Sequence, residues 1–383
     1  MIRTYDVIVV GVGTMGAAAC YQLARRGVRV LGLEQFDVPH GRGSHHGFSR
    51  MIRMAYFEHP DYGRLLKAAY DLWFELEAES GQKMLEVTGG LYMGRPDCDL
   101  VDRSRQAAEA QDLPHEMIGR RRLADEFECF RVPDEFVAFY ENKAGFILPE
   151  RAVAAFAELA LRGGADLRGQ EPVLKWTAEP GGVTVHTSRD TYAADRIIFC
   201  GGAWSCRLLG DIGVDLTVTR QVLGWVWPHR TECFSLGRFP VWAIEPDEAD
   251  PNEGIYYGFP MMPDNPGFKI ALHHRAGPTD PDQVCHEIQP GDEQTFRPAL
   301  RKWIPAADGP LLSLRVCLYT NSSDGHFIID RHPLHEHVLL ACGFSGHGFK
   351  FAPVIGRILA DLATQDRTSL PIEFLRLDRF SLK

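Results

Sequence analysis

The sequence predicts an α/β protein: a doubly wound domain on a parallel sheet, interrupted by inserted α+β passes. Three observations predict it. An apolar strand near the N-terminus turns into a helix through Gly11-Val12-Gly13-Thr14-Met15-Gly16. A second strand follows and ends in an acid, Glu34. Much later, strand, small residues and helix recur in order around Gly201 and Gly343.

Residues 5–10 are apolar and largely β-branched, as in a strand buried on both faces. The glycines form GxGxxG at the strand-to-helix turn. Gly11 permits the tight turn, Gly13 lets a pyrophosphate approach the backbone, and Gly16 lets the helix sit close to the sheet. The spacing predicts a helix over 15–26, stopped by Gly27 in a left-handed conformation. A strand over 28–33 follows. Glu34 stands 18 residues past Gly16, where an acid accepts hydrogen bonds from an adenosine ribose. The acid suits NAD or FAD and disfavours NADP, whose 2′-phosphate it would repel. GxGxxG alone is weak; the ordered strand, glycines, helix, strand and acid make a dinucleotide site the reading over a ligand-free turn.

Residues 39–53 are glycine-rich and basic, a loop able to wrap phosphates with backbone N–H groups and arginines. Arg50 and Arg53, three apart and followed by Tyr56, suggest a short helix presenting both at one spot. Residues 61–80 form an amphipathic helix with Leu65, Leu66, Ala69, Leu72, Trp73 and Leu76 as its stripe. Strands at 90–93 and 137–140, with a polar helix around 99–111, read as a second domain's first pass. A helix over 151–162 and strands at 172–177, 182–187 and 191–199 return to the first domain, with Gly181-Gly182 as a hairpin turn. Strands at 217–226, 241–244, 255–259 and 268–273 make the second domain's return pass. Strands at 326–330 and 338–342, the Gly343–Lys350 turn and a helix over 352–363 close the first domain. The expected division is 1–86, 145–215 and 321–383 against 87–144 and 216–320.

Composition narrows the function. Net charge is −10, which disfavours non-specific nucleic-acid binding. Hydrophobic content of 45% fits a globular chain, and no long apolar run suggests a membrane span. The first strand begins too soon after Met1 for a signal peptide. The nine cysteines are scattered without CxxC, so reduced thiols in a cytoplasmic protein, and no metal site, are expected.

The chain resembles the monomeric sarcosine oxidase family of flavoenzymes, which also includes N-methyltryptophan and pipecolate oxidases. The resemblance spans essentially the whole chain. It rests on Gly43-Ser44-His45-His46-Gly47, the Arg50/Arg53 pair, 254–260, Cys317-Leu318-Tyr319-Thr320 and Gly343 to Lys350. One departure is plain: bacterial sarcosine and N-methyltryptophan oxidases carry Asp-Thr before the first arginine, where this chain has Phe48-Ser49. Thr320-Asn321 and Asp330-Arg331-His332-Pro333 look closer to the pipecolate-oxidising branch.

The resemblance implies a Rossmann-like FAD-binding domain with an inserted α+β substrate domain built on a large mixed β-sheet. It implies oxidation of a secondary amino acid with O₂ as acceptor and H₂O₂ as product. Sarcosine is the first substrate; L-pipecolate and N-methyltryptophan are alternatives. Gly11, Gly13, Gly16, Glu34, Ser44, His45, Arg50, Gly201, Gly343, Gly346, His347, Gly348 and Lys350 would hold FAD, with Cys317 attached to it covalently. Arg53 and Lys350 would take the substrate carboxylate, with Tyr257, Tyr319 and Gly346 around it. Lys269, His273, Arg50, Tyr257 and Tyr319 would act in the chemistry, Lys269 by helping O₂ accept electrons. Trp242 would lie near the substrate's side chain, and His274 on the opposite strand face would be structural. The expected protein is a cytoplasmic monomer with a small-molecule amino acid and O₂ as its partners, and neither nucleic acid nor membrane. An NAD-dependent dehydrogenase would leave Gly343–Lys350 and Cys317 unexplained. A flavin-binding redox sensor would hold flavin without producing peroxide.

Overall fold

A computed structural model describes residues 3–210, 212–247, 254–265, 267–273 and 276–380. Two eight-stranded sheets and one three-stranded sheet carry the chain. In the first, Thr191–Phe199, Arg3–Val10, Val30–Leu33 and Asp166–Arg168 run parallel side by side. His335–Cys342 adds to Thr191–Phe199, also in parallel. Residues 7–10, 30–33, 197–199 and 338–342 of these strands are continuous buried runs, as in a sheet covered on both faces.

The helices Thr14–Ala24, Pro149–Arg162 and Ala352–Gln365 pack together, with Pro60–Ser80 behind them. Gly356 makes one of these contacts possible, since a Cβ there would run into the backbone of Ala18. Gly27 takes the left-handed conformation expected of a helix stop, with φ +72°. The expected GxGxxG turn forms as read: Gly11 has φ +88°, and a Cβ on Gly16 would collide with Gly11 O.

The second sheet runs in the order Leu311–Asn321, Thr217–Val226, Phe268–His273, Ile255–Phe259, Val241–Ile244, Gly90–Gly94, Val137–Glu141, His115–Ile118. All its neighbours are antiparallel except Val241–Ile244 with Gly90–Gly94. Register decides which side chains share a face, because alternate residues of a strand point opposite ways. Lys269 sits opposite Trp225 and Phe259, Ala271 opposite Leu223 and Tyr257, and Gln221 opposite Cys317. One face therefore carries Lys269, His273, Tyr257, Cys317 and Tyr319. The other carries Gly224, Ile270, Gly258 and Trp242, which are in register with one another.

That parity corrects the reading of Trp242. It is fully buried on the far face, stacked on Phe268 and edge-on to Phe130, inside a core cluster closed by Phe296 and Trp303. His274 lies outside the described residues. A second correction concerns the arginine pair. Arg50–Ile52 is a strand of the small sheet, paired with Gly145–Ile147, which also pairs with Leu85–Val87. Residues three apart on extended chain diverge, so Arg50 and Arg53 go to separate places. Sequence periodicity also left out the small sheet and most of Leu311–Asn321, whose first half is exposed and without a clear alternation.

Candidate active site

The parallel strands Arg3–Val10, Val30–Leu33 and Thr191–Phe199 all end at one edge, where nucleotides bind in open α/β sheets. A cavity of about 490 Å³ opens there. Its lining includes Gly11, Gly13, Glu34, Ser44, His45, Arg50, Gly201, Tyr319, Gly343, Gly346 and Gly348. Residues far apart in sequence are thus brought to one space.

The dinucleotide end is built around Glu34. Its carboxylate, 4% exposed, accepts the N–H of Val12 at 2.9 Å and of Phe36 at 3.0 Å. Burial raises its pKa against those two amides. The same acid therefore shapes the glycine turn and faces the cavity. His45 is buried in the cavity wall, and its Nε2 has no hydrogen-bond partner in the protein. Burial holds its pKa well down, so it is a neutral ring with a free nitrogen. A glycine turn without room for Cβ atoms, a cavity-facing carboxylate at the second strand's end and an unpartnered imidazole fit the adenosine, pyrophosphate and ring of FAD.

The loop after Glu34 is stitched to Leu311–Asn321 of the second sheet. Ser44 Oγ donates to Leu318 O at 2.6 Å, and Leu318 N donates to Gly43 O at 3.4 Å. Arg50 donates to Ser44 O at 2.7 Å and His46 O at 2.5 Å, and lies 3.5 Å from Cys317 Sγ. Cys317 is 1% exposed and stands just behind the cavity wall.

The turn Gly343–Gly348 reaches the same strand from the other side. Ser345 N donates to Thr320 O at 2.9 Å. Gly346 has φ +77°, and a Cβ there would strike the Tyr319 ring. Tyr319 OH pairs with His273 Nδ1 at 3.2 Å and shares a side-chain hydrogen bond with Tyr257. Burial pushes the Tyr319 hydroxyl's pKa well up, so it stays protonated.

Beside that turn, two cations meet one ring. The Arg53 guanidinium lies 4.6 Å and Lys350 Nζ 4.9 Å from the centre of Tyr56. The Tyr56 hydroxyl bonds His347 Nδ1, and Lys350 Nζ donates to His347 O at 2.9 Å. Burial, then Arg53, pushes the Lys350 ammonium down to about 7. Burial likewise holds His347 neutral. Arg53 donates to Glu58 Oε1 at 2.9 Å, while Glu58 Oε2 has no partner.

Lys269 lies on the facing sheet, 2% exposed. Its ammonium donates to Gly47 O at 2.7 Å, Ser49 O at 2.7 Å and Ser49 Oγ at 3.1 Å. It also sits 4.6 Å from the Phe259 ring centre.

Three carboxylates escaped the sequence reading. Glu58 engages Arg53. Glu141 accepts the N–H groups of Met54 and Ala55 and the Tyr92 hydroxyl, fixing the segment after Arg53. Glu150 holds the loop under Lys269. The partners of Glu141 and Glu150 are remote in sequence, and only the Pro149-Glu150 helix start gave any local signal; Glu58 is near Arg53 in the chain, but no spacing rule marked the pair. Asn321 and Asp330 serve the frame: Asn321 Nδ2 donates to Thr217 O, and Asp330 accepts the N–H of Leu377; Thr320 instead lines the cavity, its buried hydroxyl without a partner. Among the described residues no group of His, Cys, Asp and Glu is arranged to hold a metal, and no helix is long and apolar enough to cross a membrane.

Comparison with known proteins agrees with this geometry. A monomeric sarcosine oxidase of Streptomyces avermitilis is 42% identical over 377 residues, covering 97% of both chains. An N-methyl-L-tryptophan oxidase of Salmonella arizonae is 34% identical over 379 residues, covering 98% of this chain and 99% of its own. The solved structure of NikD, described as an unusual amino acid oxidase essential for nikkomycin biosynthesis, matches with a TM-score of 0.88 at 25% identity. It covers 98% of this chain and 97% of that one. The model of the FAD dependent oxidoreductase family spans residues 6–362, from the first strand through the closing helix. With the glycine turn, Glu34 and the Gly343–Gly348 turn all inside that span, the chain belongs to the DAO family of FAD-dependent oxidoreductases.

Proposed function

We propose that this protein oxidises a secondary amino acid at the carbon next to nitrogen, with O₂ as acceptor. Sarcosine is the first candidate substrate, consumed with O₂ and water to give glycine, formaldehyde and H₂O₂; L-pipecolate and N-methyltryptophan are the alternatives. The observation that carries the reading is the meeting of Arg53 and Lys350 at Tyr56, next to the turn whose Gly346 lines the cavity. FAD, when bound, takes two electrons from the substrate C–H bond and passes them to O₂.

The chain's residues divide the remaining work. Gly11, Gly13, Gly16, Glu34, Ser44, His45 and Gly201 hold the nucleotide, and Gly343, Gly348 and His347 support the flavin from the closing turn. Arg53 offers the substrate carboxylate a planar fork, and Lys350 adds a point charge. Tyr257, Tyr319 and His273 form one hydrogen-bonded wall that orients the amine over Gly346. Arg50 lies 3.5 Å from Cys317 Sγ, and the place of that thiol beside the cavity wall supports a covalent flavin link there. Lys269 supplies positive charge where O₂ becomes negative; such preorganised charge is worth roughly 10²–10³ in rate. The division into 1–86, 145–215 and 321–383 against 87–144 and 216–320 belongs to the same proposal, as does a cytoplasmic monomer.

The deciding experiment is a panel of sarcosine, L-pipecolate, N-methyltryptophan, proline and primary amino acids, assayed for H₂O₂. Peroxide is expected with sarcosine or another secondary amino acid and not with primary ones. Peroxide from none of the secondary amines would overturn the reading.

A further inference from the structure

Lys269 is a buried cation whose three hydrogen bonds all go to oxygens of residues 47 and 49. Gly47 O and Ser49 O can only accept, while the Ser49 hydroxyl can accept from an ammonium or donate to a neutral amine, so the site can hold either form. The charged groups around it are mostly unhelpful. Arg50 and Arg315 are cations, His46 is held neutral by burial, and Cys317 lies on the same sheet face. Burial, then Arg50, lowers the Lys269 pKa, while Glu150 and, less, Cys317 raise it. Glu150 reaches Lys269 by a definite route.

The route is one peptide group. The C=O of Gly47 accepts from Lys269 Nζ at 2.7 Å. The N–H of Phe48, on the other side of the same peptide bond, donates to both oxygens of Glu150 at 3.2 Å. Gly47 N adds a bond to Glu150 Oε1 at 2.6 Å. In a trans peptide the C=O and N–H point in opposite directions. Its dipole therefore lies with the positive end on the carboxylate and the negative end on the ammonium. Hydrogen bonds in series strengthen one another, and both ends here are charge-assisted.

The turn is costly to make. Gly47 has φ +107° and Phe48 has φ +65°, a left-handed conformation unfavourable for so bulky a residue. The Phe48 ring is held by Arg315 at 4.1 Å and edge-on by Trp225 at 5.7 Å. This strained turn aims Gly47 O and Ser49 O at Lys269 and the two amides at Glu150. We propose that Glu150 is the counter-charge of Lys269, coupled to it through the Gly47–Phe48 peptide. Glu150 is a positioning residue, since it acts on Lys269 and not on substrate. The kinetic consequence rests on the role proposed above for Lys269; the electrostatic coupling does not.

The test compares holoenzymes of wild type, Glu150→Gln, Glu150→Asp and Lys269→Met. Two readouts are followed against pH: the visible spectrum of the oxidised flavin, and stopped-flow reoxidation of reduced enzyme by O₂. Ionisation of Lys269 gives a spectral step that Lys269→Met lacks. Glu150→Gln keeps an acceptor for the loop but removes the charge, so its step moves to lower pH and Glu150→Asp moves it back. Reoxidation by Glu150→Gln falls about tenfold or more on the alkaline side, as expected when a nearby opposite charge is lost. If wild type shows no step in the accessible range, Glu150→Gln must bring one into range. A Glu150→Gln profile superimposable on wild type, with normal flavin content, overturns the coupling. A shifted step with wild-type reoxidation in Lys269→Met leaves the coupling standing and removes the oxygen role.

Discussion

Arg53 and Lys350 approach the same aromatic ring from the segment after Arg50–Ile52 and from the start of the closing helix. Truncating Arg53 to Met should remove a charge-assisted contact to the substrate carboxylate, costing roughly 1.5–3 kcal/mol of binding. Methylthioacetate affinity, read from the flavin spectrum, should fall while flavin content stays near normal. Unchanged affinity would take Arg53 out of the substrate site. Lys350 gives a pH signature. Its ammonium is pushed down to about 7 by burial and Arg53. A bound carboxylate favours the charged form, so affinity should be full below that value and weaken as pH rises through it, by at most tenfold per unit. Lys350→Met should flatten this dependence; a profile identical to wild type would show that another group titrates. The residue types were legible from the motifs, and the family resemblance implied their shared carboxylate. Glu58 was not legible, because no spacing rule marks an acid five residues past an arginine outside a helix; the structure shows it on Arg53 with one oxygen unpartnered.

At the scale of elements, the turns are where the sequence leaves least freedom. Gly16 and Gly346 both lack room for a Cβ, the first against Gly11 O and the second against the Tyr319 ring. Gly346 also sits at φ +77°, so alanine would add backbone strain. Gly346→Ala should shift Tyr319 and with it the hydrogen bond to His273, destabilising the holoenzyme by about 1–3 kcal/mol. Melting temperature and the Tyr319-sensitive flavin spectrum measure this; an unaltered spectrum and melting temperature would mean the turn adapts. Gly16→Ala should instead deplete FAD, read as the flavin-to-protein ratio. The first βαβ unit was legible because its signals are local: an apolar run, a glycine spacing, a stop and an acid. The Arg50/Arg53 segment was misread because three-residue spacing says helix only where the backbone is helical. Pairing with Gly145–Ile147, nearly a hundred residues later in the chain, made it a strand instead.

Over the whole molecule, the strand Leu311–Asn321 joins the two halves of the site. It belongs to the second sheet, yet Ser44 and Ser345 of segments next to the first sheet bond to it. Cys317 stands on that strand beside Arg50, so a thioether there would tie the cofactor of one sheet to the wall of the other. Acid precipitation of fully loaded wild type should leave the yellow colour with the protein, and Cys317→Ser should release it to the supernatant. Release from wild type would refute the link. The loaded wild type should also melt at least a few degrees above its flavin-free form, because a ligand bound only to the folded state stabilises it by mass action.

The sequence by itself determined the dinucleotide-binding class of the first βαβ unit and the type of most of the strands and helices that surround it. Both depend on short-range rules: which residues can turn tightly, which runs are buried on both faces, and which spacing leads from glycine to acid. Tertiary structure alone decided which face of the second sheet looks at the cavity. Alternation along a strand names two faces but not which is inward, and so Trp242 went to the core while Lys269, on the other parity, shares its face with Tyr319, which lines the cavity. It also decided the partners of the buried charges. Glu141 and Glu150 meet the 54–55 amides and the 47–48 amides only after the chain has closed. Burial then sets their consequences, since the cost of a charge in a dry site depends on what surrounds it rather than on its neighbours in sequence.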